Sequence, residues 1–357
     1  MGFNFRKSFR IGKLFRVNIG KSGASVSFGG KGFRQSISTS GNARTTFSIP
    51  GTGLSYSKTL SAKKLLKKES NRPVFQSAKG IDPAGEVKAY QEDIALITSL
   101  HLYEDYPRGI DWNAVKSEEE PFKKGTDGPQ VKEAKALLET QRPGLFQRVF
   151  GGGKAVMAEL EANLEEAKKA DEALYSAWES NKVLAEKILG QNKDNYLEAL
   201  EEVKLSEELG NYIRSLKFTY TDEDSLKADM TLSVTDFIPE QYKTLTPTGK
   251  LSVKDYTKTD YYEIASRFVT GLVFRTARNL FNLLPIEDVL IEVSEMEKNK
   301  YSGLEEKERI LSILIDRSTL EKIDFTEANP FEALTNFRHE VNFVKTKGFT
   351  KIEKTVQ

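Results

Sequence analysis

The sequence predicts an α+β multidomain chain: an N-terminal antiparallel β-meander, a helical middle with a long helical hairpin, and a C-terminal α+β domain with a mixed sheet. Three observations predict it. Residues 9–57 alternate apolar and polar positions in short runs broken by glycine. From Lys154 to about Leu189 apolar or small residues recur near a 3.5 spacing. After residue 210, strand-like runs bracket one long helical pattern. The 357 residues give room for several cores. The parts divide at 1–58, a basic Gly/Ser-rich β module; 59–80, a basic linker; 81–150, helices and a Pro/Gly-rich loop; 151–210, the helical hairpin; and 211–357, the C-terminal domain.

The first part is set by period-two alternation. Phe15, Val17 and Ile19 share one parity, Val26 and Phe28 continue it, and Phe33, Ile37, Phe47, Ile49, Leu54 and Tyr56 complete it. The breaks KSG, GGKG, SGNA and PGTG supply the positive φ angles of tight connections, with Gly29, Gly30, Gly32, Gly51 and Gly53 shaping the turns. Four or five strands in a meander follow from this spacing.

The same module carries the chain's charge asymmetry. Residues 1–68 hold 14 Lys and Arg and no Asp or Glu, which leaves 39 basic residues (53 less 14) against 52 acidic ones in the remainder. A net charge of +1 therefore hides a cationic front and an acidic body. A meander this short buries only about 60% of its unfolded surface and leaves two open edges, so it needs a cover. With no acid in the module, that cover is anionic.

MGFNFRKSF, then IGKSGASVSFGGKG, then RTTFSIPGTGLSYS resemble the bacterial module called domain of unknown function 4236. The resemblance spans roughly the first sixth of the chain and rests on three glycine-rich signatures in order. It implies a bacterial origin and an N-terminal adaptor on otherwise varied proteins, with no activity, substrate or catalytic residue to carry over. Phrases such as NPFEALTNF and KTKGF are similar to the segments that accompany such modules.

In the middle, Asp82-Pro83 marks a helix start, with Val87, Tyr90, Ile94, Ile97 and His101 following at helical spacing. Residues 104–130 read as loop, with Trp112 stapling that loop to the helices. GPQVKEAKALLETQ is a further helix. FGGGKAVMAEL is not a phosphate loop, because Arg148 stands where its first glycine belongs and Ala155 replaces the hydroxyl. The long helix from Lys154 has Asp171 and Asn181 in its apolar seam and extends roughly 50 Å. GQNKDN turns the chain and YLEALEEVKLSEEL returns as the hairpin's second helix, pairing within the chain or between chains.

In the last part, SLKFTYTDED and SLKADMTLSV form a hairpin and TGKLSVKDYT adds a third strand. Asp260 starts a helix running to about Leu284, before Pro285. DVLIEVSEME and ERILSILIDR are two strands, the second central, and NPFEALTNFRHEVNF is a closing helix.

Function is read mostly by exclusion. With no cysteine there are no disulfides, thiolate zinc sites or thiol catalysis, and two histidines, His101 and His339, cannot build a multi-histidine metal site. No cofactor site or metal site is expected. No apolar run approaches the ~18 residues that span a bilayer, and residues 1–30 lack an apolar secretory core, so no membrane insertion and a cytoplasmic location are expected. The leading expectation is a non-enzymatic interaction, scaffold or self-assembling protein. Its basic module, through Arg6, Lys7, Arg10, Arg16, Arg34 and Arg44, docks an acidic or anionic partner: the chain's own acidic body, neighbouring subunits in a homo-oligomer, or, less favoured, nucleic acid. Arg267, Gly271, Arg275 and Arg278 fall within about 80° of helix arc and form a candidate anion or interface stripe. The competing reading is a nucleic-acid-binding protein or Mg²⁺-dependent nuclease, in a mobile-element or phage-defence setting. It uses that stripe with the acidic run Asp288, Glu292, Glu295 and Glu297, followed by Lys298.

Overall fold

A computed structural model of the chain describes residues 82–140, 153–203, 205, 209, 212–298 and 301–356, and the backbone alone of six strands between residues 6 and 60. Those strands are β1 (Arg6–Ile11), β2 (Phe15–Gly20), β3 (Gly23–Phe28), β4 (Phe33–Ser38), β5 (Ala43–Ser48) and β6 (Ser55–Leu60). The side chains Arg6, Lys7, Arg10, Arg16, Arg34 and Arg44 and the turn glycines lie outside the described residues, as does the linker 59–80 beyond Leu60. The protein is α+β, with seven α-helices among the described residues and a mixed sheet in the C-terminal region. Among those residues no helix is long and apolar enough to cross a membrane.

From residue 82 onward the chain divides between two compact units, at Glu104/Asp105 and again at Gly190/Gln191. In the first, α2 (Trp112–Lys116), α3 (Pro129–Thr140) and α4 (Gly153–Leu189) pack on one another. Trp112 is buried on α2, the stapled position expected of it, and α2 is one short helix within a segment that is otherwise loop. Asp111 caps α2, accepting from the Ala114 amide at 3.0 Å. Val131 and Ala134 of α3 meet Leu164 and Ala167 of α4 in one apolar cluster. The α3–α4 crossing is fixed by a cap supplied from the other helix. Asp171 of α4 accepts from the amides of Gln130 (3.1 Å) and Val131 (2.9 Å) at the start of α3. Gly128 allows this approach, since a Cβ there would stand 2.4 Å from the Asp171 carboxyl carbon.

The second unit begins with α1 (Pro83–Thr98), started by Asp82, whose carboxylate accepts from the Gly85 amide at 2.8 Å, with Pro83 in the first turn. A 3₁₀ turn, Leu100–Leu102, follows. The helix α5 (Lys193–Glu202), expected as the return arm of a hairpin, lies within this unit beside β7 (Ser215–Tyr220), where Lys193 pairs with Asp224 and sits 5.3 Å from the Tyr220 ring centre.

The sheet is completed by β8 (Leu226–Leu232), β11 (Asp288–Lys298), β12 (Glu305–Asp316), β13 (Arg338–Val344) and β14 (Gly348–Thr350), in the order β14-β13-β12-β11-β8-β7. β12 is one of the two middle strands, as its apolar run predicts. β8 and β11 pair parallel and their neighbours antiparallel, so the connection between them must cross over the sheet. That crossover carries α6 (Lys258–Leu283). The strand expected from TGKLSVKDYT, β10 (Leu251–Asp255), instead forms a separate ribbon with β9 (Gln241–Leu245). The ribbon is tied to α1 by Lys243–Glu86 at 2.7 Å and by a Tyr90–Tyr256 hydroxyl contact just beyond its end.

The closing helix expected from NPFEALTNFRHEVNF is absent. Only a 3₁₀ turn, Glu332–Asn336, forms before the chain extends into β13. An open edge of β12 and an aromatic cluster of Phe331, Phe343 and Phe349, with centroids 4.7–6.3 Å apart, outweigh the local helix signal. Short α7 (Arg317–Leu320) follows β12, capped by Asp316 through the Thr319 amide.

Candidate functional site

The start of α6 is written locally. Thr257 is the N-cap, accepting from the Asp260 amide at 3.2 Å, while its hydroxyl donates to the Asp260 carboxylate at 2.7 Å. Asp260 is thus the third helical residue of a reciprocal cap rather than the first. From Ile264 onward almost every side chain is buried, because the sheet covers one side of α6 and α1 with the 3₁₀ turn covers another.

This decides where the arginine stripe lies. Arg267 is half-exposed and pairs with Glu263 at 3.3 Å. Gly271 faces a second backbone: a Cβ there would meet Leu100 Cβ at 3.2 Å and the His101 amide nitrogen at 3.4 Å. Arg275 is completely buried, its guanidinium 5.6 Å from the centre of the Tyr103 ring. Arg278 is buried beside Glu104 (3.8 Å) and lies over Phe325 (4.8 Å). Three of the four residues on this arc, Gly271, Arg275 and Arg278, are therefore part of an internal seam, and Arg267 stands half-exposed at its end. The sequence gives the arc, but the second layer over it comes from residues 100–104, about 170 positions earlier, and from Phe325, 47 positions after Arg278, which periodicity does not register.

His101 belongs to the same seam. Its ring packs at 6.0 Å on Phe325. Burial first, then Arg278 and Arg267, push it down to about 4, so it is neutral at physiological pH.

The acidic run is divided by the pleat. In the parallel register Val289, Ile291 and Val293 of β11 stand beside Leu226, Ala228 and Met230 of β8, and Glu295 beside Leu232. All of these but Glu295 are apolar and buried on the α6 side of the sheet. Glu292 points to the other side. It is buried there, 2.9 Å from Lys227 Nζ and 3.1 Å from Arg309, and Lys227 also reaches Asp229 at 3.4 Å. Burial alone would lower the Lys227 pKa, but Glu292 and Asp229 outweigh it and hold the ammonium above its ordinary value. Sequence reading missed this four-residue cluster. The available signal was charge at alternate positions of otherwise apolar strands, at Lys227 and Asp229 and again at Glu292.

Glu295, on the α6 side, is buried with the Val234 amide donating to its Oε1 at 3.3 Å. Burial first and Glu297 second push its carboxyl up to about 7. Tyr261 of α6, raised to about 12 by burial and then by Glu295, is close enough to feel that charge. Glu292 and Glu295 thus occupy opposite faces, and the run does not converge on one point. Among the described residues no group of three or more His, Asp or Glu is placed to hold a metal ion.

Comparison with known proteins adds one finding, and it concerns the N-terminal stretch. Residues 3–57 match the DUF4236 family. That family is described as a protein of unknown function, and its match covers the strands β1–β5 and the start of β6. No curated protein and no solved structure matches the chain.

Proposed function

We propose that this protein is a non-enzymatic interaction or scaffold protein whose N-terminal family module is a basic β-meander that docks an acidic partner. The observation that carries the proposal is the charge division: 14 Lys and Arg without one acid in residues 1–68, against an excess of acids in the rest. A one-signed module of this size gains little from itself and much from an anionic surface. The antiparallel register of successive strands supports the meander. It sets Phe9, Val17, Val26 and Ile37 in one row across β1–β4, and it places Arg10 directly opposite Arg16.

The partner that the chain itself offers is its acidic remainder, in the same copy or a neighbouring one, with the protein acting in the cytoplasm as a homo-oligomer. The experiment is the particle mass by light scattering of the intact chain beside a chain lacking residues 1–58, at moderate salt and without nucleic acid. Loss of mass beyond the deleted segment is the expected result. An unchanged subunit number, together with nucleic-acid binding that weakens steeply with salt, overturns it.

A further inference from the structure

The β11–β12 hairpin has two halves that differ in kind. Up to Val293 the registers on the face that Glu295 shares are apolar, Val289 opposite Ile315, Ile291 opposite Ile313 and Val293 opposite Leu311. A bulge then shifts the register between Val293 and Ser294. Beyond it, Glu295 stands opposite Glu308 and Glu297 opposite Glu306. Directly opposed side chains share a face, so four carboxylates line one side of the outer hairpin, while Lys307, of the other parity, falls on the opposite side. We infer that this outer half is a proton-operated element: with Glu295 protonated the two strands close as found, and ionisation of Glu295 parts their outer registers.

The groups facing Glu295 are the ones such a device requires. From its own strand comes Glu297, from β12 come Glu308 and Glu306, from the turn after β8 the Val234 amide, and from α6 the Tyr261 ring. Glu240, ahead of β9, acts on the same tyrosine. In the loop before β7 the guanidinium of Arg214 is committed to Asp236 and Glu305, each at 3.0 Å. No cation figures among the influences on Glu295, and burial with a neighbouring carboxylate is what brings it to about 7.

The sign follows from linkage. A carboxyl raised in the closed form binds its proton more tightly there than in the open form, so closure is strongest at low pH. It weakens as pH rises from the ordinary value toward the raised one, and levels off above it. With values of 4.5 and about 7, closure should weaken about tenfold between pH 6 and pH 8.

The test is hydrogen exchange on the full chain at pH 6 and pH 8, normalised to intrinsic rates. Protection of amides 294–298 and 305–309 should fall about tenfold, with amides of β7 and β8 unchanged. In Glu295→Gln the pH dependence should vanish. Equal protection at both pH values in the wild type overturns the inference, and so does a dependence that survives in Glu295→Gln. A measurement needing no variant stands beside it: the side-chain carboxyl of Glu295, followed by NMR in the wild type, should titrate near 7, and a midpoint in the ordinary carboxylate range overturns the proposal.

Discussion

The two long helices of this protein bury polar residues in opposite ways. α4 runs 37 residues with one buried stripe, formed by Leu160, Ala167, Ala170, Leu184, Ala185 and Ile188, and an exposed remainder. The polar intruder Asp171 is accommodated because it caps another helix. α6 runs 26 residues and is enclosed around most of its surface, so Arg275 must be satisfied inside, against Tyr103. In both helices burial works against the charged group: it lifts Asp171 above its ordinary carboxyl range even though two amides pull the other way. A short carboxylate can thus be held at the start of a neighbouring helix, whereas a buried guanidinium needs a complete second layer.

Removing the guanidinium tests the stronger half of that contrast. Arg275→Ala should cost about 4 kcal/mol in denaturant unfolding of the second unit, through a cavity and the partners left behind. Arg275→Met, which keeps the stem, should recover about half of that loss. A cost below about 1 kcal/mol for the alanine variant, the ordinary range of surface substitutions and near-neutral changes, would place the seam among tolerant sites and break the comparison.

Next in size is Gly271→Val. Alanine would already press on the Leu100–His101 backbone, and two further methyl groups have no room. A loss of about 3 kcal/mol is expected, with hydrogen-exchange protection falling in both α6 and the 3₁₀ turn. If exchange rises in α6 alone, the two elements are not coupled through this crossing.

The smallest effect belongs to α4. Asp171→Ala removes two hydrogen bonds from the first turn of α3 and should cost about 2 kcal/mol. Asp171→Asn, retaining one acceptor, should cost about half as much. Thermal unfolding of the intact chain distinguishes the two variants.

Local signals were legible wherever neighbours in sequence are also neighbours in space. Asp82 before Pro83 and the limits of α3, α4 and α6 follow from caps and spacing. The paired strands β7–β8 and β11–β12 follow from alternation and an apolar run. What failed depends on the sheet. The segment that becomes β13 carries helix-forming residues, and only the open edge of β12 makes it extend. The acidic run reads as one cluster until the pleat sends Glu292 and Glu295 to opposite faces. The interior position of Arg275 and Arg278 depends on Tyr103, Glu104 and Phe325, none of which is near them in sequence. Local spacing establishes which residues share an arc, and tertiary layering decides whether that arc is surface or core.

Trp112 and Trp178 are the chain's only tryptophans, and both belong to the unit of α2, α3 and α4. Trp112 is buried there, and the indole N–H of Trp178 donates to the Glu118 carbonyl at 3.0 Å. Indole emission therefore watches one unit alone, while the other, rich in tyrosine, is silent at that wavelength and visible by circular dichroism. Melting the same sample under both probes separates the two transitions without cutting the chain: coincident curves mean one cooperative block, and displaced curves mean two.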